Sequence, residues 1–124
     1  MDFFSFERLN AYKQSLLLVK IVYGLSQKFP PEERFALTSQ LRRAIVSVPS
    51  NIAEGSGRLS NKEKVNFISI AFGSLMESYC QLTIAYQLDY ITKEDFCEIK
   101  PIFTEICKML SGLRNKFVSS DVKK

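Results

Sequence analysis

Apolar positions return along the chain at steps of three and four, in four stretches separated by proline, glycine and polar residues. That spacing puts them on one face of an α-helix. Leu9, Tyr12, Leu16, Val19 and Tyr23 form the primary stripe of a first helix, expected over about 8–28. Phe29-Pro30-Pro31 then forces the chain out of helical register. Leu37, Leu41, Ile45, Val48 and Ile52 mark a second helix over about 32–54, opened by Glu32 and Glu33, which suit a helical first turn. Val65, Ile68, Phe72, Leu75, Tyr79, Leu82 and Tyr86 mark a third over about 61–88. Phe96, Ile99, Phe103, Ile106, Leu110, Leu113 and Phe117 mark a fourth over about 93–117, followed by a polar tail expected to fray.

The punctuation agrees with the periodicity. Ser60 and Glu63 have the spacing of a capping box at the start of the third helix. Asp89-Tyr90 reads as a turn, after which Thr92 caps the fourth helix and Ile91 and Phe96 occupy the hydrophobic-staple positions. Pro49 is the exception, because the second stripe crosses it without losing phase. A helix that stopped at Val48 would leave a stub meeting Gly55 and Gly57 within two turns, so one continuous, kinked helix is expected. The proline costs a bare helix about 3 kcal/mol. Hydroxyls of Ser47 or Ser50, or packing, have to offset that. Pro101 is expected to bend the fourth helix.

Four helices with short links predict an all-α, up-down-up-down bundle, a single domain over residues 1–124. The first and third helices hold more apolar surface than one core needs: Leu17, Leu18, Ile21, Val22 and Leu25 form a second flank on the first, and Phe67, Ile70, Ala71, Ile84 and Ala85 widen the stripe of the third. A helix apolar nearly all round is covered on more than one side. For a domain of this size that predicts a homo-oligomer.

Composition narrows the chemistry. Hydrophobic residues are 46% of the 124, with ten Phe, five Tyr and no Trp, which excludes a disordered chain. No run of about eighteen apolar residues exists, so no membrane span is expected. The N-terminal stretch, with acids at positions 2 and 7, does not read as a signal peptide. Cys80, Cys97 and Cys107 have no metal-type spacing and read as buried or half-buried thiols in a reducing cytoplasm. The chain has no histidine, the commonest general base and metal ligand. No serine or cysteine has a visible base, no P-loop or dinucleotide fingerprint occurs, and the only central helical acids are Glu54 and Glu77. No enzyme activity, cofactor or metal is therefore expected.

Two polar constellations remain. Arg43, Ser47, Asn51 and Glu54 line one side of the second helix, and Ser74 and Glu77 lie on the third. They read as a structural polar network, with Arg43 paired bidentately to Glu77 and Asn51 serving backbone groups freed near Pro49. The net charge is +4. It gathers in two clusters: Arg42, Arg43, Arg58, Lys62 and Lys64 around the second connection, and Arg114, Lys116, Lys123 and Lys124 at the C-terminus. The two are expected at opposite ends of the bundle, and Arg42, Arg58, Lys62, Lys64, Arg114 and Lys116 are the candidate nucleic-acid contacts. The aromatic residues sit at core phase, so base stacking is not expected.

The run Phe29-Pro30, Glu33, Leu37, then SQLRRAIVSVPSNIAEG (Ser39–Gly55), then AFGSLMES (Ala71–Ser78), resembles the bacterial four-helix bundle proteins encoded within 23S rRNA intervening sequences. The resemblance covers nearly the whole chain. It implies a homopentamer, and it singles out Arg42, Arg43, Ser47, Pro49, Asn51, Glu54, Gly55, Ser74 and Glu77. A similar bundle, the accessory variability protein of diversity-generating retroelements, is a more basic pentamer that associates with nucleic acid and a reverse transcriptase. The implied partners are further copies of the chain and RNA. The alternative is a partner protein bound by an interaction scaffold with no nucleic-acid role.

Overall fold

The computed structural model describes residues 4–122, with side chains to residue 119. Lys123 and Lys124 lie outside the described residues. A turn of 3-10 helix (Ser5–Arg8) leads into α1 (Asn10–Ser26), and a second such turn (Pro31–Glu33) precedes α2 (Leu37–Ser56). α3 (Asn61–Gln87) and α4 (Lys93–Val122) complete an all-α four-helix arrangement.

Three boundaries differ from the periodicity. α2 begins at Leu37 rather than near 32, because Ala36 leaves helical geometry (φ −123°, ψ −106°). Glu33 marks that start by accepting a hydrogen bond from the Leu37 amide at 3.4 Å. α4 continues to Val122, past the expected end at 117. α1 begins at Asn10, after its 3-10 lead-in.

α2 runs unbroken through Pro49. The expected compensation is only partly present. The Ser50 hydroxyl donates to the Val46 carbonyl at 2.9 Å, and Asn51 Nδ2 donates to the Ser47 carbonyl at 2.8 Å. Neither reaches Ile45, the carbonyl that the proline deprives of a donor. Packing carries the rest, since Pro49 is buried. Pro101 also sits inside a continuous helix, on an exposed face.

The caps behave as the sequence predicts. The Glu63 amide donates to Ser60 Oγ at 3.1 Å. At α4 the Asp95 amide donates to Thr92 Oγ1 (3.0 Å), and the Thr92 amide donates back to Asp95 Oδ2 (3.2 Å). Between α3 and α4, Asp89 adopts φ 62°. The Asp89 amide then reaches the Tyr86 carbonyl (3.0 Å) and the Tyr90 amide the Ala85 carbonyl (2.9 Å). Those two bonds make a Schellman motif with aspartate where glycine is usual.

The core of α2 (Leu41, Ile45, Val48, Ile52) and of α4 (Ile99, Phe103, Ile106, Leu110) follows the expected stripes. α1 does not. Its buried face is Ala11, Ser15, Leu18, Val22 and Leu25, while Leu16 and Tyr23 of the expected stripe are exposed. Both flanks are apolar, and Ser15 disguises the true one: its hydroxyl is spent on the Tyr12 carbonyl at 2.7 Å. On α3 the buried positions alternate large and small: Ile68, Ala71, Leu75, Ser78, Leu82 and Ala85. The small members let α2 approach closely. At Gly55 an added Cβ would lie 2.9 Å from the Cβ of Phe67. The glycine is there because the two helices touch.

Among the described residues no helix is long and apolar enough to cross a membrane.

Candidate nucleic-acid interface

In an up-down-up-down bundle α2 and α4 run in the same direction, so their C-termini share an end. The expectation that the two basic clusters lie at opposite ends is therefore overturned. Lys64 Nζ, at the start of α3, lies 5.3 Å from the centre of the Phe117 ring near the end of α4. A hollow at the same end is lined by Leu9 and by Asn10 and Ala11 of α1 together with Gly112, Leu113 and Lys116 of α4. Arg58, Lys62, Lys64, Arg114 and Lys116 thus share one end, with Arg8 and Lys13 near the start of α1.

Arg42 does not join them. It lies about 21 Å along α2 from that helix's C-terminus, at 1.5 Å per residue. There its Nε donates to Ser26 Oγ at 2.9 Å, and its guanidinium stacks 4.8 Å from the centre of the Tyr23 ring. It ties α1 to α2 at the other end of the bundle.

That other end mixes acids with bases, since Lys28, Arg34, Arg42 and Lys93 lie there too. Glu32, Glu33, Asp89, Glu94, Asp95 and Glu98 cluster where α1 and α3 finish and α4 begins. Lys28 Nζ donates to Asp95 Oδ2 at 2.7 Å. The Asp95 carboxyl is accordingly held below the usual range, chiefly by Lys28, with the amide and hydroxyl of Thr92 helping and partial burial opposing. The Tyr90 hydroxyl donates to Glu33 Oε2 at 2.8 Å. That bond raises the Tyr90 pKa, with burial and the charges of Glu33 and Glu32 adding to it.

The cations of the basic end are held differently. Arg58 lies 4.5 Å from the centre of the Phe67 ring and 3.6 Å from Glu54, an i,i+4 neighbour. Lys64 sits over Phe117. Both kinds of partner leave the cation charged, but a carboxylate offsets its field at a distance and a neutral ring does not. Among the described residues the only ion pairs are Lys28–Asp95 and Arg58–Glu54, so Lys62, Lys64 and Arg114 remain uncompensated. Periodicity placed Phe117 in the α4 stripe, and it does pack against the core. The rings of Phe67 and Phe117 also carry surface cations, and an aromatic near a basic residue at a helix end was the available signal.

The polar stripe is only partly brought together. Asn51 Nδ2 donates to the Ser47 hydroxyl at 2.8 Å, and the Ser74 hydroxyl donates to the same oxygen at 2.9 Å, bridging α2 and α3. Arg43 and Glu77 are exposed and form no pair. The helix crossing sets Ser47 against Ser74 and leaves Arg43 on the outer flank. Glu77 instead accepts from Gln81 Nε2 at 3.4 Å, and Glu54 lies near Arg58. Cys80 and Cys97 are exposed, contrary to expectation. Cys107 is half-buried, and burial raises its thiol pKa. Among the described residues no group of three or more His, Cys, Asp or Glu side chains could hold a metal ion.

Comparison with known proteins agrees with the sequence resemblance. A family model described as 23S rRNA-intervening sequence protein matches residues 7–112. The chain is also similar to a solved structure from Bacteroides thetaiotaomicron, described as a protein with unknown function from the S23 ribosomal protein family. The two are 26% identical with a TM-score of 0.77, over 84% of this chain and 97% of that one. No curated protein matches significantly.

Proposed function

We propose that this chain, which belongs to the 23S rRNA-intervening sequence protein family, is a non-enzymatic helical bundle that self-associates and binds RNA or an RNA–protein assembly through its basic end. One observation carries the reading: Arg58 of the α2–α3 link, Lys62 and Lys64 of α3, and Arg114 of α4 converge onto one end, and of these only Arg58 is in an ion pair among the described residues. Such charge suits phosphates, and binding through it weakens with salt as condensed counterions are displaced. The assembly in this reading is a cytoplasmic homopentamer. Its support is the outer flank of α1, where Leu16, Leu17 and Ile21 are exposed with Val46 of α2 also exposed. Repetition of the basic end around a ring would multiply the field at the RNA.

Filter binding with structured rRNA fragments at low and at moderate salt tests the RNA reading. Retention at low salt that falls steeply with added salt is expected, and no retention at low salt removes the idea. Sedimentation tests the assembly, and a monomer at high concentration removes it. The same apolar flank is the observation favouring the second reading, a scaffold for a partner protein. A pull-down that returns one protein and no nucleic acid after nuclease treatment would favour that reading instead.

A further inference from the structure

Between α3 and α4, inward from Lys64 and Phe117, lies a hollow of about 340 Å³. Ile68, Phe72 and Leu110 make its apolar floor, and Ser69, Ser111 and Arg114 its polar rim. Ser69 also lines a neighbouring hollow with Lys62, Glu63 and Asn66, so the two adjoin at that residue.

The rim groups are unspent. Ser15, Ser26, Ser50, Ser56 and Ser78 each return their hydroxyl to a carbonyl of their own helix. Among the described residues, Ser69 and Ser111 do not, and Arg114 has neither an ion pair nor a ring beneath it. The hollow therefore offers an apolar floor with an aromatic member, two free hydroxyls and a free guanidinium.

We infer that this hollow receives one unstacked base of a single-stranded RNA segment, with Arg114 on the adjacent phosphate. The inference rests on the RNA reading above and narrows it. A base has a π-face for the apolar floor and edge donors and acceptors for the two hydroxyls. A phosphate suits the guanidinium fork. The volume lies at the low end of the roughly 300–1,000 Å³ range of small-molecule sites, which fits one nucleotide. An A-form duplex keeps its bases stacked and cannot insert one. The charge continuing toward Lys62 and Lys64 fits a chain of phosphates better than a lone small anion.

The test is a fluorescence-anisotropy titration of the full chain with three labelled RNAs at one low salt concentration: a single strand, the same strand carrying abasic positions, and a duplex of equal length. The intact strand should bind about tenfold more tightly than the abasic one, and the duplex should resemble the abasic strand. Ser69→Ala combined with Ser111→Ala, two substitutions outside the buried core, should narrow the gap between intact and abasic strands. Phe72→Leu should do the same, with circular dichroism confirming its fold. If all three RNAs bind alike, with steep salt dependence, the base pocket is wrong and the RNA reading stands. If none binds, both fall.

Discussion

The end of the bundle where α1 and α3 finish is cross-tied by charge neutralisation; the end where α2 and α4 finish is not. At the first, Lys28 meets Asp95, Tyr90 meets Glu33, and Thr92 and Asp95 cap one another. At the second, Arg58 and Lys64 lean on Phe67 and Phe117. Both arrangements fix side chains, and rings hold Arg34 and Arg42 at the first end as well, but the second end leaves Lys62, Lys64 and Arg114 without an ion pair among the described residues. One end is committed to holding the fold. The other holds itself together while remaining available to a polyanion.

The largest test of that contrast is charge reversal. Lys62→Glu with Arg114→Glu should weaken RNA retention about a hundredfold, near 2.7 kcal/mol, with the fold intact by circular dichroism. Glu94→Lys with Glu98→Lys at the opposite end should not weaken it. Next comes Gly55→Ala, which pushes a methyl group against Phe67 and should cost about 2 kcal/mol in urea unfolding. One turn inward, Asn51→Leu removes the donor shared by the Ser47 carbonyl and hydroxyl and should cost about 1–1.5 kcal/mol. Pro49→Ala should change stability by less than about 1 kcal/mol, because restored helix propensity offsets lost packing. If Pro49→Ala unfolds the protein and Asn51→Leu does not, this account of α2 is wrong.

Smaller effects belong to the tied end and appear in its pH dependence. The Asp95 pKa is lowered on folding, so its contribution is present above about pH 4 and is lost as the pH falls through the lowered value. Lys28, the partner that lowers it, is about half exposed, so less than about 1 kcal/mol is at stake. Lys28→Met should flatten this acid limb of a urea midpoint-versus-pH curve. The Tyr90 pKa is raised, so its contribution is present below about pH 10 and is lost as the pH climbs further. Tyr90→Phe should flatten that alkaline limb. Asp89→Gly should raise stability by about 0.5 kcal/mol, because glycine adopts the left-handed turn without strain.

Much of the fold is legible in the residues. The α2 stripe keeps its phase across Pro49, and the α4 stripe has one apolar face, so both cores can be read directly. α1 cannot be read this way, because its two flanks are about equally apolar and the buried one includes a serine. α3 hides its core behind Phe72, Tyr79 and Tyr86, while Ala71, Ser78 and Ala85 occupy the seam. The cationic residues of the interface are visible as residue types. Their meeting place is not, because it depends on helix direction: closeness in sequence put Arg42 with Arg58, and about fourteen residues of rigid helix separate them. The free hydroxyls of Ser69 and Ser111 have no sequence signal at all, since Ser74 and Ser78 of the same α3 spend theirs on Ser47 and on the Leu75 carbonyl.

The surplus of bases at one end, against a balanced mixture at the other, makes the field of the molecule lopsided. Near a polyanion the molecule would feel a torque before any contact forms, turning its basic end forward during the approach. Productive encounters would then be enriched over random collisions, and the advantage would fade as the Debye length shortens to about 8 Å at physiological ionic strength.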